Sequence, residues 1–200
     1  MPRKRMVRRR RRGVSKSVRR FVNKAVAQRQ ETKSRVLSYD AVDIQDVAGA
    51  PIQTGISAVA QGISQNQRIG NSIRLTGFYS KFVVASADSS NIIRFILYFP
   101  RNPVDTLAGT DIHTLIDQDK FNVIYDRYHV VGTSGGPGVK GFTIARNFHR
   151  GVRKGIEVKF HGVNNTDYAS APLRMHIVSD SAAVPHPKLS GNLRLYFKDA

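Results

Sequence analysis

Two hydrophobic rhythms divide this chain. Over residues 14–30, Val14, Val18, Phe21, Val22, Ala25 and Val26 fall at i, i+4, i+7, i+8, i+11 and i+12, which is one face of an α-helix. From residue 36 that period fades, and β-branched and aromatic runs appear between turn residues. They predict eight strands: Val36–Asp46, Ser72–Ala87, Asn91–Phe99, Phe121–Val131, Phe142–His149, Gly155–His161, Pro172–Ser179 and Gly191–Lys198. Leu193-Arg194-Leu195-Tyr196-Phe197-Lys198 alternates, as a strand with one buried face does, whereas Ile92 to Phe99 is more continuously apolar and suits a central position.

The connections complete the fold class. Residues 47–71 are polar and Gly-rich, 100–120 open on Pro100 and Pro103, and 132–141 and 182–188 are rich in Gly and Pro. Eight strands with long and short connections and no repeated helices predict an all-β body of two packed antiparallel sheets, a sandwich or jelly roll. Lettered B to I in jelly-roll order, the strands would form sheets BIDG and CHEF. The expected organisation is a basic arm over 1–35 and a shell-like β-domain over 36–200.

Charge sharpens that division. The 200 residues carry 32 Lys+Arg against 14 Asp+Glu, a formal +18. Residues 1–35 hold fifteen basic residues and one acid, Glu31, a formal +14, which leaves +4 for the rest. Arg3, Lys4, Arg5, Arg8, Arg9, Arg10, Arg11 and Arg12 crowd the first twelve positions, and Lys16, Arg19, Arg20 and Lys24 lie off the apolar helical face. Such dense like charge predicts disorder in isolation. Guanidinium groups pair with phosphate oxygens bidentately, so these residues are the candidate nucleic-acid-binding set, without sequence preference. A nuclear-import signal, a transit peptide and a membrane-surface helix use similar charges. No run of 18 apolar residues predicts a membrane span.

No catalytic constellation emerges. With no Cys there is no thiolate nucleophile or Cys-ligated zinc. Gly136-Pro137-Gly138-Val139-Lys140-Gly141 fits G-x-G-x-x-G but runs into a predicted strand, not a helix, and reads as a turn. The six histidines lack metal-ligand spacing, and Asn164-Asn165-Thr166 reads as a surface turn. The expectation is a non-enzymatic protein with no metal site of its own.

A basic arm, an amphipathic helix and eight strands in about 165 residues resemble the coat proteins of small icosahedral viruses. The similarity is closest to the satellite tobacco necrosis virus-like capsid proteins, a type also found in circular Rep-encoding single-stranded DNA viruses. It is carried by Asn66-Gln67-Arg68-Ile69-Gly70, Arg94-Phe95-Ile96 with Arg101-Asn102, Lys120 to Asp126 and the terminal Asp199-Ala200. The resemblance implies a single jelly-roll subunit, a homo-oligomeric T=1 shell of sixty copies, and a packaged single-stranded genome against the arm. It implies location in the virion, and in the host nucleus if the genome is DNA. It also allows calcium between subunits at Asp199, although Ser72 stands where the family has a longer amide. It places the BC, DE, FG and HI loops, expected at 47–71, 100–120, 150–154 and 180–190, around the fivefold axes. A ribosomal-type β-domain with a basic extension, binding RNA, is the alternative, and a membrane-active β-domain a third.

Overall fold

A computed structural model describes residues 15–21, 31–48, 51–86, 90–132, 137–148, 155–182 and 184–200. The chain divides into two units, Met1–Glu31 and Thr32–Ala200. In the first, residues 16–21 are helical. Ser15 caps this turn: its hydroxyl accepts the Val18 N–H at 3.3 Å, satisfying one of the donors a helix start leaves free.

The second unit contains nine strands. They are β1 (Lys33–Asp43), β2 (Ile52–Gly55), β3 (Ser72–Ala85), β4 (Ser90–Pro100), β5 (Phe121–Gly132), β6 (Val139–Asn147), β7 (Ile156–Lys159), β8 (Arg174–Ser179) and β9 (Lys188–Asp199). One sheet runs β1-β9-β3-β6, with β7 also paired to β3; the other runs β2-β8-β4-β5. Every strand pair is antiparallel. With β7 set aside, the strands take the letters B to I in chain order and give B-I-D-G facing C-H-E-F: the body is a jelly roll.

Alternation builds the core. Leu193, Leu195 and Phe197 of β9 and Ile93, Phe95, Leu97 and Phe99 of β4 point inward and are buried. Between the sheets, Phe82 lies 5.4 Å from Phe95 and 5.7 Å from Phe142, ring centre to ring centre. Gly191 sits between Tyr39 and Phe82 on one rung. Without a side chain there, the flanking rings meet edge to face at 5.8 Å, covering the glycine. A Cβ on Gly191 would stand 2.2 Å from the Lys81 carbonyl oxygen.

Three expectations need correction. β2 lies within the predicted 47–71 connection; only four residues long, it carries too little alternation to stand out. Residues 155–161 contain the extra strand β7, not strand G, so 72–85 is D and 121–132 is F. The loop ends shift accordingly. Ile44 N–H donates to the Pro187 carbonyl, Ser179 N–H to Gln45, and Ser86 N–H to Gly138. The BC, DE, FG and HI connections now fall at 44–51, 86–89, 133–138 and 180–187, and these bonds tie the described flanks of BC to HI and of DE to FG. Segments 56–71, 101–120 and 148–173 belong to the opposite end, where the Arg68 guanidinium reaches Gly162 and Arg174 reaches the Pro103 carbonyl.

Candidate nucleic-acid interface

The predicted binding set falls mostly outside the described residues: Arg3, Lys4, Arg5, Arg8 to Arg12 and Lys24 lie there, as does most of the predicted 14–30 helix. Lys16, Arg19 and Arg20 are on the described helical turn and exposed. Val18 and Phe21 on the same turn are 49% and 73% exposed. Arg150, Arg153 and Lys154, basic residues in the strand 6 to strand 7 connection, also lie outside the described residues.

Two of the fifteen basic residues assigned to the arm are built into the body. Lys33, almost fully buried, places Nζ 2.8 Å from Asp199 Oδ2 and donates to the Gln67 carbonyl at 3.0 Å. Arg35 donates through Nη1 to the carbonyl oxygens of Ile56 (3.3 Å) and Ala58. Residues 1–31 therefore carry thirteen basic residues against Glu31, a formal +12. The Lys33 contact also bears on Asp199, which the resemblance offers to calcium. Its other oxygen, Oδ1, accepts the Ile69 N–H at 3.0 Å. A divalent cation there would stand beside an ammonium group and compete with it. In one copy, both carboxylate oxygens of Asp199 are thus engaged within the body.

Other arginines are also structural. Arg94 forms a two-point pair with Asp126, Nε to Oδ1 at 2.9 Å and Nη2 to Oδ2 at 2.7 Å. That pairing raises the guanidinium pKa against the opposing effect of burial. Its Nη1 faces the carbonyl oxygens of Asp111, Ile112 and Thr114, at 3.3, 3.3 and 2.6 Å. Arg94 thereby pins segment 101–120 across the outer face of β4. Ile96, Tyr98, Leu107 and Phe121 pack beneath that cover as a second small core.

The outer face of the other sheet has a different character. Register places Arg194 between Val36 and Tyr79, and Asn192 between Ser38 and Lys81. Val36, Tyr79, Lys81, Asn192, Arg194 and Tyr196 line a shallow depression of about 500 Å³. Its lining contains two cations, two tyrosines and no acid. Composition and spacing could not reveal this cluster, because its members come from three strands, β1, β3 and β9, the last two more than a hundred residues apart; only β-register unites them.

The histidines also receive definite environments. His176 is fully buried, with Nε2 3.1 Å from the Thr110 carbonyl oxygen. Burial, and then Arg94, push its pKa down, partly opposed by the Thr110 contact. His129 stacks on Phe142 with centroids 4.1 Å apart; burial and Lys140 lower its pKa. Asn164 Oδ1 accepts the Thr166 N–H at 3.2 Å, as a surface turn would have it. Among the described residues no group of three or more His, Cys, Asp or Glu is placed to hold a metal, and no helix is long and apolar enough to cross a membrane.

No protein-family model matches the chain, and no curated protein does. Among solved structures it is similar in outline to one from Desmodium yellow mottle tymovirus: TM-score 0.40, 10% identity, 84% of this chain and 86% of that one covered. A structure of the Gx strain of infectious bursal disease virus gives TM-score 0.33 at 10% identity, covering 83% of this chain and 33% of that one. The T13 particle of the same virus gives 0.30 at 10%, covering 84% and 31%. At this identity none of them assigns a function to the chain.

Proposed function

We propose that this chain is a viral coat protein: the jelly roll is the shell brick and the arm gathers a single-stranded genome. One observation supports this reading above the others. A polycationic segment of +12 is joined to an antiparallel jelly roll whose long loops hold large apolar side chains in solvent. Ile63 is 96% exposed, Leu115 92%, Val163 79% and Val104 75%, on connections at one end of the body, and Val184 is 83% exposed on the 180–187 connection at the other. Side chains like these cost a monomer solubility and acquire a purpose when copies meet.

The arm and the shell act together. Sixty copies of a +12 arm would confine on the order of 720 positive charges, whose mutual repulsion opposes closure unless a polyanion is present. Nucleic acid is therefore both the cargo and the condition for assembly. A flexible single strand suits the cavity better than duplex, whose persistence length is about 150 base pairs. The role is structural and needs no cofactor; virion location follows from it, and a nuclear stage if the genome is DNA.

The test is electron microscopy of the purified full chain at low salt, with and without single-stranded nucleic acid. Closed particles that shield the nucleic acid from nuclease are expected. Removing residues 1–31 should abolish packaging and leave the body folded. A chain that stays monomeric across salt and concentration, binding structured RNA through its body, would point to the ribosomal-type alternative.

A further inference from the structure

We propose that the outer face of the β1-β9-β3-β6 sheet is a second contact for single-stranded nucleic acid. In it, Lys81 and Arg194 take phosphates and Tyr79 and Tyr196 stack bases. This inference rests on the reading of the arm as a nucleic-acid segment and extends it to the folded body.

The two sheets differ in a way the fold does not require. Segment 101–120 covers the outer face of β4 and buries Ile96 and Tyr98. The outer face centred on β9 and β3 instead carries the open depression around Lys81 and Arg194. Along β3, Tyr79 and Lys81 are two residues apart on one face, and along β9 so are Arg194 and Tyr196. Each strand thus presents a ring beside a cation, about 7 Å apart at the pleat repeat. The register interleaves them, with Arg194 directly opposite Tyr79.

Charge selects the occupant. Neither Lys81 nor Arg194 has a carboxylate within ion-pair distance among the described residues. Arg74 and Lys198 face each other further along the same two strands. The acids on this side lie outside the depression: Glu157 is opposite Arg74 in the β3–β7 pair, and Asp43 is opposite Lys188 in the β1–β9 pair. A polyanion is attracted to such a surface, and the tyrosine faces favour one whose bases are unpaired. The depression is shallow, which suits a strand running across it more than an enclosed small molecule. Thr32, the first residue of the body, lines a neighbouring depression with Tyr196 and Arg146.

The test measures binding of a fluorescent oligothymidylate to the full-length chain across a salt series, diluted until light scattering reports monomer. Lys81→Gln with Arg194→Gln should reduce the slope of log K against log salt by about 1.4, at roughly 0.7 per phosphate contact. Tyr79→Leu with Tyr196→Leu should weaken binding about tenfold or more and leave the slope unchanged. A bromouracil-substituted strand should crosslink to peptides containing Tyr79 or Tyr196. Unchanged slope and affinity in both double variants, or crosslinks confined to residues 1–31, would overturn the proposal. So would competition by polyglutamate as effective as that by oligothymidylate. The arm is tested separately, by Gln at Arg8 to Arg12: a slope unchanged there would count against the arm's role and leave the sheet result standing.

Discussion

Among the described residues Arg68 is the largest fully buried side chain, and no carboxylate there pairs with it. Nε donates to Val59 O at 3.1 Å, Nη1 to Gly70 O and to Asn71 Oδ1 at 3.4 Å, and Nη2 to Gly162 O and to Asn164 O at 3.3 Å. The guanidinium plane lies 4.1 Å from the centre of the Phe160 ring. Burial lowers its pKa, yet guanidinium remains charged at any working pH. Five oxygens from two connections thus converge on one planar fork, which an ammonium could not span. Arg68→Met should lower stability by at least about 3 kcal/mol, because several buried carbonyls lose their donor. Arg68→Lys should recover less than half of that loss. Urea denaturation measures both, and midpoints within error of the parent would show that the fork does not hold these loops. The sequence pointed to this place, since Asn66 to Gly70 carries part of the family resemblance. It could not disclose burial: a lone Arg in a polar Gly-rich stretch reads as solvated, and two of its acceptors, the carbonyls of Gly162 and Asn164, lie more than ninety residues away in sequence.

His176 gives the body a direction in pH. In its buried setting Nε2–H donates to the Thr110 carbonyl, which leaves Nδ1 as the neutral nitrogen, without a partner. Protonation would create an orphaned N–H beside Arg94. With the folded pKa depressed, the unfolded chain binds more protons below about pH 6.5. Stability is therefore complete above that pH and falls as pH drops beneath it, by up to about 1.4 kcal/mol per unit for this one group. His129, also depressed, adds in the same direction. Urea midpoints taken from pH 7.5 to pH 5 should fall, and His176→Gln should flatten the curve. An unchanged slope in that variant would remove His176 as the cause.

At the level of elements, β4 shows how one strand comes to be buried on both faces. Its inward residues meet the opposite sheet, and its outward residues meet segment 101–120, held by Arg94 and by the Tyr128 hydroxyl, which donates to Ile112 O at 2.9 Å. The segment is internally braced as well: Asp111 Oδ1 accepts the Thr114 hydroxyl and backbone N–H, both at 2.6 Å, and the His113 N–H at 2.8 Å. These bonds hold the Asp111 carboxyl below its usual range. Arg94→Met leaves Asp126 and three carbonyls without their donor, an effect of about 3–5 kcal/mol for a broken buried pair. Limited proteolysis should then cut within 101–120 well before it cuts the parent chain; equal protection would show that Ile96, Tyr98, Leu107 and Phe121 suffice to hold the cover. The largely apolar run from Ile92 to Phe99, broken only by Arg94, made this central position legible from sequence. What covers the strand was not, because Pro100 and Pro103 announce a loop without saying where it lies. β2 escaped notice for a related reason: Ile52 to Gly55 becomes a strand through pairing with β8, not through a pattern of its own.

For the molecule as a whole, the contrast between a charged arm and a β-body was evident in composition, whereas the assignment of loops to ends was not. Inserting β2 and setting β7 aside moves every lettered connection between them, so a single missed four-residue strand reversed which loops were expected at the fivefold end. The corrected arrangement brings 56–71, 101–120 and 148–173 together, and these hold the exposed Ile63, Val104, Leu115 and Val163. Because such side chains contribute almost nothing to the fold of one copy, assembly and folding separate cleanly at these positions. Ile63→Asp with Leu115→Asp should leave the urea midpoint of the body within about 0.5 kcal/mol of the parent, as exposed substitutions do. If these tips meet neighbouring copies, each carboxylate would have to be desolvated at a contact, and closed particles should disappear even with nucleic acid present. Binding of a short oligonucleotide to the dilute chain should persist, because neither residue belongs to the arm or to the Lys81–Arg194 face. Particles that still form in this double variant would move the subunit contacts away from the long-loop end and onto the strand edges or the loops at 44–51, 86–89, 133–138 and 180–187.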